Sequence, residues 1–132
     1  MKISAKIESR QNYQATELQT NGSVKTIQIP VKSSGFGSSV NGGELLLLSL
    51  ATCFCNDIYR EADKRGIPIS GVTVECSGEF GGEGEPGTNF RYHTDINADA
   101  SQAQVEELIR FTDQIAEVHN TLRKGLAVIL DR

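Results

Sequence analysis

The sequence predicts an α+β domain of order βββ-α-ββ-α-β, and three observations carry that prediction. Strand-like alternation is gathered before and after a long helix, whereas a doubly wound sheet would interleave strands and helices one by one. The stretch 42–66, GGELLLLSLATCFCNDIYREADKRG, is a single helical run, apolar all round at its start and amphipathic by its end. A chain of 132 residues is one domain over 1–132, long enough to bury a core without a metal or disulfide framework.

Taken in order, residues 3–9 (ISAKIES), 12–19 (NYQATELQ) and 24–31 (VKTIQIPV) alternate with period two and read as three strands. Asn21-Gly22 lies between the second and third and signals a type I′ hairpin. Residues 33–43, SSGFGSSVNGG, lack any periodicity and form a loop into the helix. Over 42–66 the helix would run roughly 30 Å at 1.5 Å per residue. It stops at Gly66-Ile67-Pro68, with Lys64 and Arg65 at the negative end of its dipole. Residues 70–80 and 89–97 are two further strands, joined by the exposed acidic turn GGEGEPGT.

Ser101 opens the second helix, with Gln104 three residues on as a capping box. Val105, Leu108, Ile109, Thr112, Ile115, Ala116 and His119 then fall on one stripe at helical spacing. A last strand over 126–130 closes the chain.

The formal charge of −4 and pI near 5.2, with no cluster of Lys or Arg, argue against nucleic acid and anionic membrane as partners. The first residues, MKISAKIESR, lack the apolar core of a secretory signal, and the longest nearly apolar run, 45–55, is about half of the ~20 residues a membrane span needs. Three cysteines, an odd number without an export signal, fit a reducing compartment. The expectation is a soluble, cytoplasmic protein.

Cys53 and Cys55 are two residues apart, which on a helix separates them by about 200°. They cannot close an unstrained disulfide with each other. Cys55 shares its stripe with Leu48, Ala51, Ile58, Tyr59 and Ala62 and reads as packing. Cys53 shares its stripe with Leu46, Ser49 and Leu50 on one side and Asn56, Asp57 and Arg60 on the other. Such a boundary between apolar and polar surface is where a reactive thiol is expected, because a thiolate needs partial access and a charge that favours it. Cys76, at the parity of Val72, Val74 and Phe80, reads as core. A metal site from the cysteines with His93 and His119 is not expected, since C-x-C on a helix splays its sulfurs apart. No cofactor is expected either.

The run GGELLLLSLATCFCNDIYREADKRGIPISGVTVECSG resembles the OsmC/Ohr family, the osmotically inducible and organic hydroperoxide resistance proteins. IAEVHNTL, residues 115–122, is similar to the family's Cys-Pro-Val-x-x-x-Leu near the end of the second helix. The resemblance implies an intertwined homodimer of α+β subunits with active sites at the interface, and places Cys53 where the family's attacking cysteine stands. It also implies the chemistry: a thiolate attacks an organic hydroperoxide, becomes a sulfenic acid, and condenses with a second cysteine. The chain departs from the family at Ala116, which stands where the resolving cysteine would be, with Glu117 in place of the proline. The family's carboxylate before the Leu run falls on Gly43, leaving Glu44 one residue later. Arg10 is the arginine available for the family's activating role near the first hairpin, and His119, one turn beyond Ala116, is a candidate contact of Cys53.

Two functions follow from the resemblance. One is a thiol-dependent organic hydroperoxide reductase in which Cys53 works without the usual resolving cysteine, using an external thiol reductant or Cys76. The other is a non-catalytic protein of the same fold that binds a small apolar or electrophilic ligand at the dimer interface. A third reading, a purely structural or protein-binding module, requires Cys53 to be as inert as Cys55.

Overall fold

A computed structural model describes residues 1–132, which divide into two compact units, Met1–Leu45 and Leu46–Arg132. In the first, β1 (Ile3–Arg10), β2 (Tyr13–Thr20) and β3 (Ser23–Lys25) form an antiparallel sheet in that order. Register runs from Ile3 opposite Thr20 to Arg10 opposite Tyr13. The β2–β3 turn has Asn21 at φ 48° and Gly22 at φ 85°, the pair of positive dihedrals that the Asn-Gly signal predicts.

The third strand is shorter than the 24–31 its alternation suggests. Beyond Lys25 side chains take over from the ladder: Gln14 Nε2 donates to the Ile29 carbonyl at 3.0 Å, and Thr16 Oγ1 bonds the Ile27 carbonyl. The following loop is tied by a bridge between Val31 and Ser38, and by Ser39 N–H donating to the Pro30 carbonyl at 2.9 Å.

The helix α1 (Gly42–Lys64) begins in the last residues of this unit and continues through the second. The second unit also contains the antiparallel pair β4 (Ile69–Glu79) and β5 (Thr88–Ala98), then α2 (Gln102–Ile115) and α3 (Glu117–Lys124). Phe54, Ile58, Ala62, Leu108 and Ala116 form its buried cluster, with Val72, Val74, Tyr92, Ile96 and Ile109 packed around them. Gly78 lies at a register shift in β4, where an added Cβ would stand 2.5 Å from the Phe90 ring.

The α+β class holds, and beyond the short third strand three details depart from the sequence reading. The buried stripe of α1 is Leu50, Phe54, Asp57, Ile58, Glu61 and Ala62, centred on Phe54. Cys55 is only half-buried, while Leu48 and Tyr59 on its stripe are 58% and 45% exposed. The helix begun at Ser101 breaks at Ala116, whose ψ of 108° is extended. Residues 126–130 form no strand, because a strand exists only with a neighbour to satisfy its backbone groups, and none pairs with them. Leu126, Val128, Ile129 and Leu130 are accordingly 65–95% exposed.

Candidate functional site

Cys53 sits half-buried near the middle of α1, one residue from Phe54, the helix's fully buried anchor. What meets it comes from the break between α2 and α3. Nothing in Ile115-Ala116-Glu117 is a helix breaker by propensity. The break is held by the partners of the groups it frees. Asn120 Nδ2 donates to the Gln114 carbonyl at 2.9 Å, and Arg123 Nη1 to the Asp113 carbonyl at 3.0 Å. At the start of α3 the Val118 N–H, one of the first amides that have no partner within their own helix, lies on the side of the Cys53 sulfur and acts to lower its pKa. Ala116 is fully buried at this point, its methyl group facing inward.

Two carboxylates complete the surroundings of the sulfur. Asp57, one turn on in α1, has Oδ2 3.7 Å from Cys53 Sγ, and Glu117 has Oε2 at 3.9 Å. One ligand atom from each of the three lies within 4.8 Å of the other two. Asp57 is only 4% exposed, and its Oδ1 is held by Arg60 Nη1 at 2.9 Å. The thiol pKa is pushed up, first by burial and then by the charges of Asp57 and Glu117, against the lowering effect of the Val118 N–H. The carboxyl of Asp57 is also raised, by burial and by Glu117, with Arg60 opposing. The donor set joins one soft thiol to two hard carboxylates, and one of those is already neutralised by Arg60.

The other residues expected at the site have different occupations. Glu44 closes a reciprocal capping box at the head of α1, its Oε1 accepting from Asn41 N–H at 3.0 Å while Glu44 N–H donates to Asn41 Oδ1 at 2.8 Å. Arg10 pairs with Glu8 at 2.7 Å and lies over the Tyr13 ring at 4.2 Å, with its side chain 62% exposed. His119 is buried, packed edge-on against Tyr92 at 4.7 Å and tilted against Phe54 at 5.7 Å between ring centres. Neither of its ring nitrogens has a hydrogen-bond partner, and burial, then the charge of Arg123, hold its pKa below the usual 6.5. A neutral imidazole supplies no positive charge to a thiol. Cys76 is half-buried and lines an open hollow on the sheet with Phe90 and Tyr92.

Asp57, which the sequence places on the stripe of Cys53 without a role, and Glu117 are thus the acidic neighbours of the sulfur. A signal for Asp57 was present: four residues after Cys53, it shares that cysteine's face. Glu117 is found only through the turn at Ala116, which brings α3 to the sulfur.

A family model described as OsmC-like protein matches residues 35–131. Among curated proteins no sequence matches the chain. Several crystal structures share its fold. The OsmC-like protein of Mycoplasma pneumoniae superposes with TM-score 0.64 at 18% identity, over 92% of this chain and 86% of that one. An OsmC-like hydroperoxide resistance protein from a Jannaschia species gives 0.56 at 11% identity, over 96% and 87% of the two chains. The organic hydroperoxide resistance protein OsmC of Legionella pneumophila gives 0.53 at 22% identity, over 93% and 90%.

Proposed function

The chain belongs to the OsmC-like family, and from that premise we propose that it is a thiol-dependent organic hydroperoxide reductase in which Cys53 acts without a resolving cysteine. The observation that carries this is the seat of the sulfur: a free thiol half-buried in the middle of α1, at the start of α3, whose Val118 N–H acts to lower its pKa. An N–H so placed favours the anionic sulfur, which is the nucleophile. The sulfur attacks the terminal oxygen of the hydroperoxide, the O–O bond breaks, and the alkoxide takes up a proton and leaves as an alcohol. Cys53 is oxidised by two electrons to a sulfenic acid. With alanine at 116, an external dithiol attacks the sulfenic sulfur, releasing water, and its second thiol frees Cys53 as the dithiol closes to a disulfide.

We assign chemistry to Cys53 rather than to the other expected residues. Arg10 is engaged by Glu8 and Tyr13, Glu44 by Asn41, and His119 lies buried against two rings. The working unit of the proposal is a homodimer, supported by the apolar surface that the single chain leaves open.

One observation favours the second reading, a non-catalytic protein of this fold that takes a small apolar or electrophilic ligand. Burial with Asp57 and Glu117 keeps Cys53 as a thiol to a higher pH than an ordinary cysteine. The two readings separate when the protein is treated with cumene hydroperoxide and a sulfenic-acid trap, then mapped by mass spectrometry. The reductase predicts trapping confined to Cys53, its loss in Cys53→Ser, and catalytic peroxide consumption once a dithiol is supplied. Absence of modification at every cysteine would sink it; trapping without turnover leaves the ligand-binding reading in its place.

A further inference from the structure

A peroxide-reducing thiol must lose a proton before attack, and the alkoxide it expels must gain one. If Cys53 is such a thiol, its surroundings contain groups suited to both tasks. Its Sγ lies 3.7 Å from Asp57 Oδ2 and 3.9 Å from Glu117 Oε2. Asp57 divides its oxygens: Oδ1 binds Arg60 at 2.9 Å, and Oδ2 is the one turned to the sulfur. Asp57 is buried, whereas Glu117 is exposed and open to solvent. A carboxylate oxygen of each lies within 4.8 Å of one on the other, close enough for a single proton to serve both.

From this arrangement we propose that Asp57 and Glu117 share one proton and work as a relay for Cys53, accepting the thiol proton on attack and returning a proton to the departing alkoxide. The inference rests on the reductase reading above.

Two carboxylates this close do not both ionise cheaply, and burial adds to the cost for Asp57, which favours a single proton on the pair. The charged groups acting on the thiol are Asp57 from α1 and Glu117 from α3, and those acting on Asp57 are Glu117 and Arg60. With one proton on the pair, its single negative charge is matched by Arg60. Moving the S–H proton onto the pair leaves a thiolate, two neutral carboxyls and Arg60, so the net charge of the cluster is unchanged. The thiolate is favoured by the Val118 N–H, which acts to lower the thiol pKa. When the O–O bond breaks, one carboxyl gives its proton to the alkoxide, an alcohol departs, and the pair returns to its starting state. The balance is Cys53 thiol plus hydroperoxide to sulfenic acid plus alcohol, with no further oxidant or reductant.

An acid pair with only a structural role would alter every reaction of the thiol alike. A relay would not, and two electrophiles tell the difference. Iodoacetamide expels iodide, which needs no proton; tert-butyl hydroperoxide expels an alkoxide, which does. In Glu117→Gln the loss of a negative charge makes the thiolate easier to form, so alkylation of Cys53 by iodoacetamide at pH 7 should quicken. Oxidation by tert-butyl hydroperoxide should slow by about a hundred-fold, the usual worth of a positioned acid or base. Asp57→Asn should show the same opposed signs, and because Glu117 is exposed its variant folds even if the buried one does not. Across pH, the wild-type iodoacetamide rate should rise steadily, while the hydroperoxide rate should fall away once the pair loses its shared proton. Changes of one sign with both reagents, or two wild-type profiles that run parallel, would overturn the relay while leaving Cys53 a reductase. Alkylation of Cys53 with no hydroperoxide reaction in the wild type would remove both.

Discussion

His119 is the side chain whose surroundings least suit it. Its two ring nitrogens are buried with nothing to bond, in contact with the rings of Phe54 and Tyr92, where each unmade hydrogen bond costs about 1–3 kcal/mol. A residue of similar size without polar atoms, as in His119→Leu, should therefore fold at least as stably at neutral pH. The pH dependence has a definite sign. The folded imidazole is held below the usual 6.5, so as pH falls the unfolded chain takes up the proton first. The stability present above pH 6.5 is lost as pH drops towards the folded pKa. Asp57, whose folded carboxyl is raised above 3.8, acts in the opposite sense, but it is common to both proteins and cancels in their difference. Melting temperatures of wild type and His119→Leu should therefore diverge between pH 7.5 and pH 5.5, the wild type falling faster. Curves that stay parallel would show that His119 titrates alike in both states.

At the scale of elements, the last turn of α1 is an instructive ion-pair cluster. Glu61, with 4% of its side chain exposed, accepts from Arg60 at 3.2 Å, Lys64 at 3.0 Å and Arg65 at 3.1 Å. Glu107 in α2 accepts from Arg110 at 2.9 Å, but both side chains are more than 60% exposed. Glu61→Gln should destabilise the fold by about 1–3 kcal/mol and Glu107→Gln by no more than about 0.5, a contrast that urea unfolding measures directly. The Glu61 contribution should also fade as pH falls below 4.5, since its cations hold the folded carboxyl below that ordinary value. Elements fixed by local chemistry were legible in the sequence: the Asn21-Gly22 turn, the Ser101–Gln104 capping box and the α1 stop at Gly66. So is the equivalent Asn41-x-x-Glu44 box at the head of α1. The burial of Asp57 and Glu61 was not legible, because charged residues read as solvated until their partners are known. Nor was the break at Ala116, which is held by Asn120 and Arg123, side chains that the fold brings back onto the last carbonyls of α2. Half the candidate site follows from helix spacing, and the other half, Glu117 and Val118, from that break.

For the whole molecule, apolar side chains left in water are the feature that calls for an explanation. In the first unit Ile3, Ile7 and Val24 are 70%, 53% and 59% exposed. In the second, Leu126, Val128, Ile129 and Leu130 reach 65%, 95%, 77% and 78% along a segment with no strand partner. Single exposed apolar residues are ordinary, but four within five consecutive residues, with their backbone groups unpaired, form a surface that association would satisfy twice, by apolar burial and by ladder hydrogen bonds. A second copy of the chain offers both, which is the physical content of the proposed homodimer. Light scattering at micromolar concentration should give twice the 14.3 kDa of the chain. The double variant Val128→Asp, Leu130→Asp should shift that mass towards the monomer, since each side chain exchanges an apolar contact for a charge that must be desolvated. Its far-ultraviolet circular dichroism should change little, because neither residue belongs to the Phe54 cluster. A monomeric mass for the wild type would remove the dimer, and an unchanged dimer in the double variant would place the interface elsewhere on the chain.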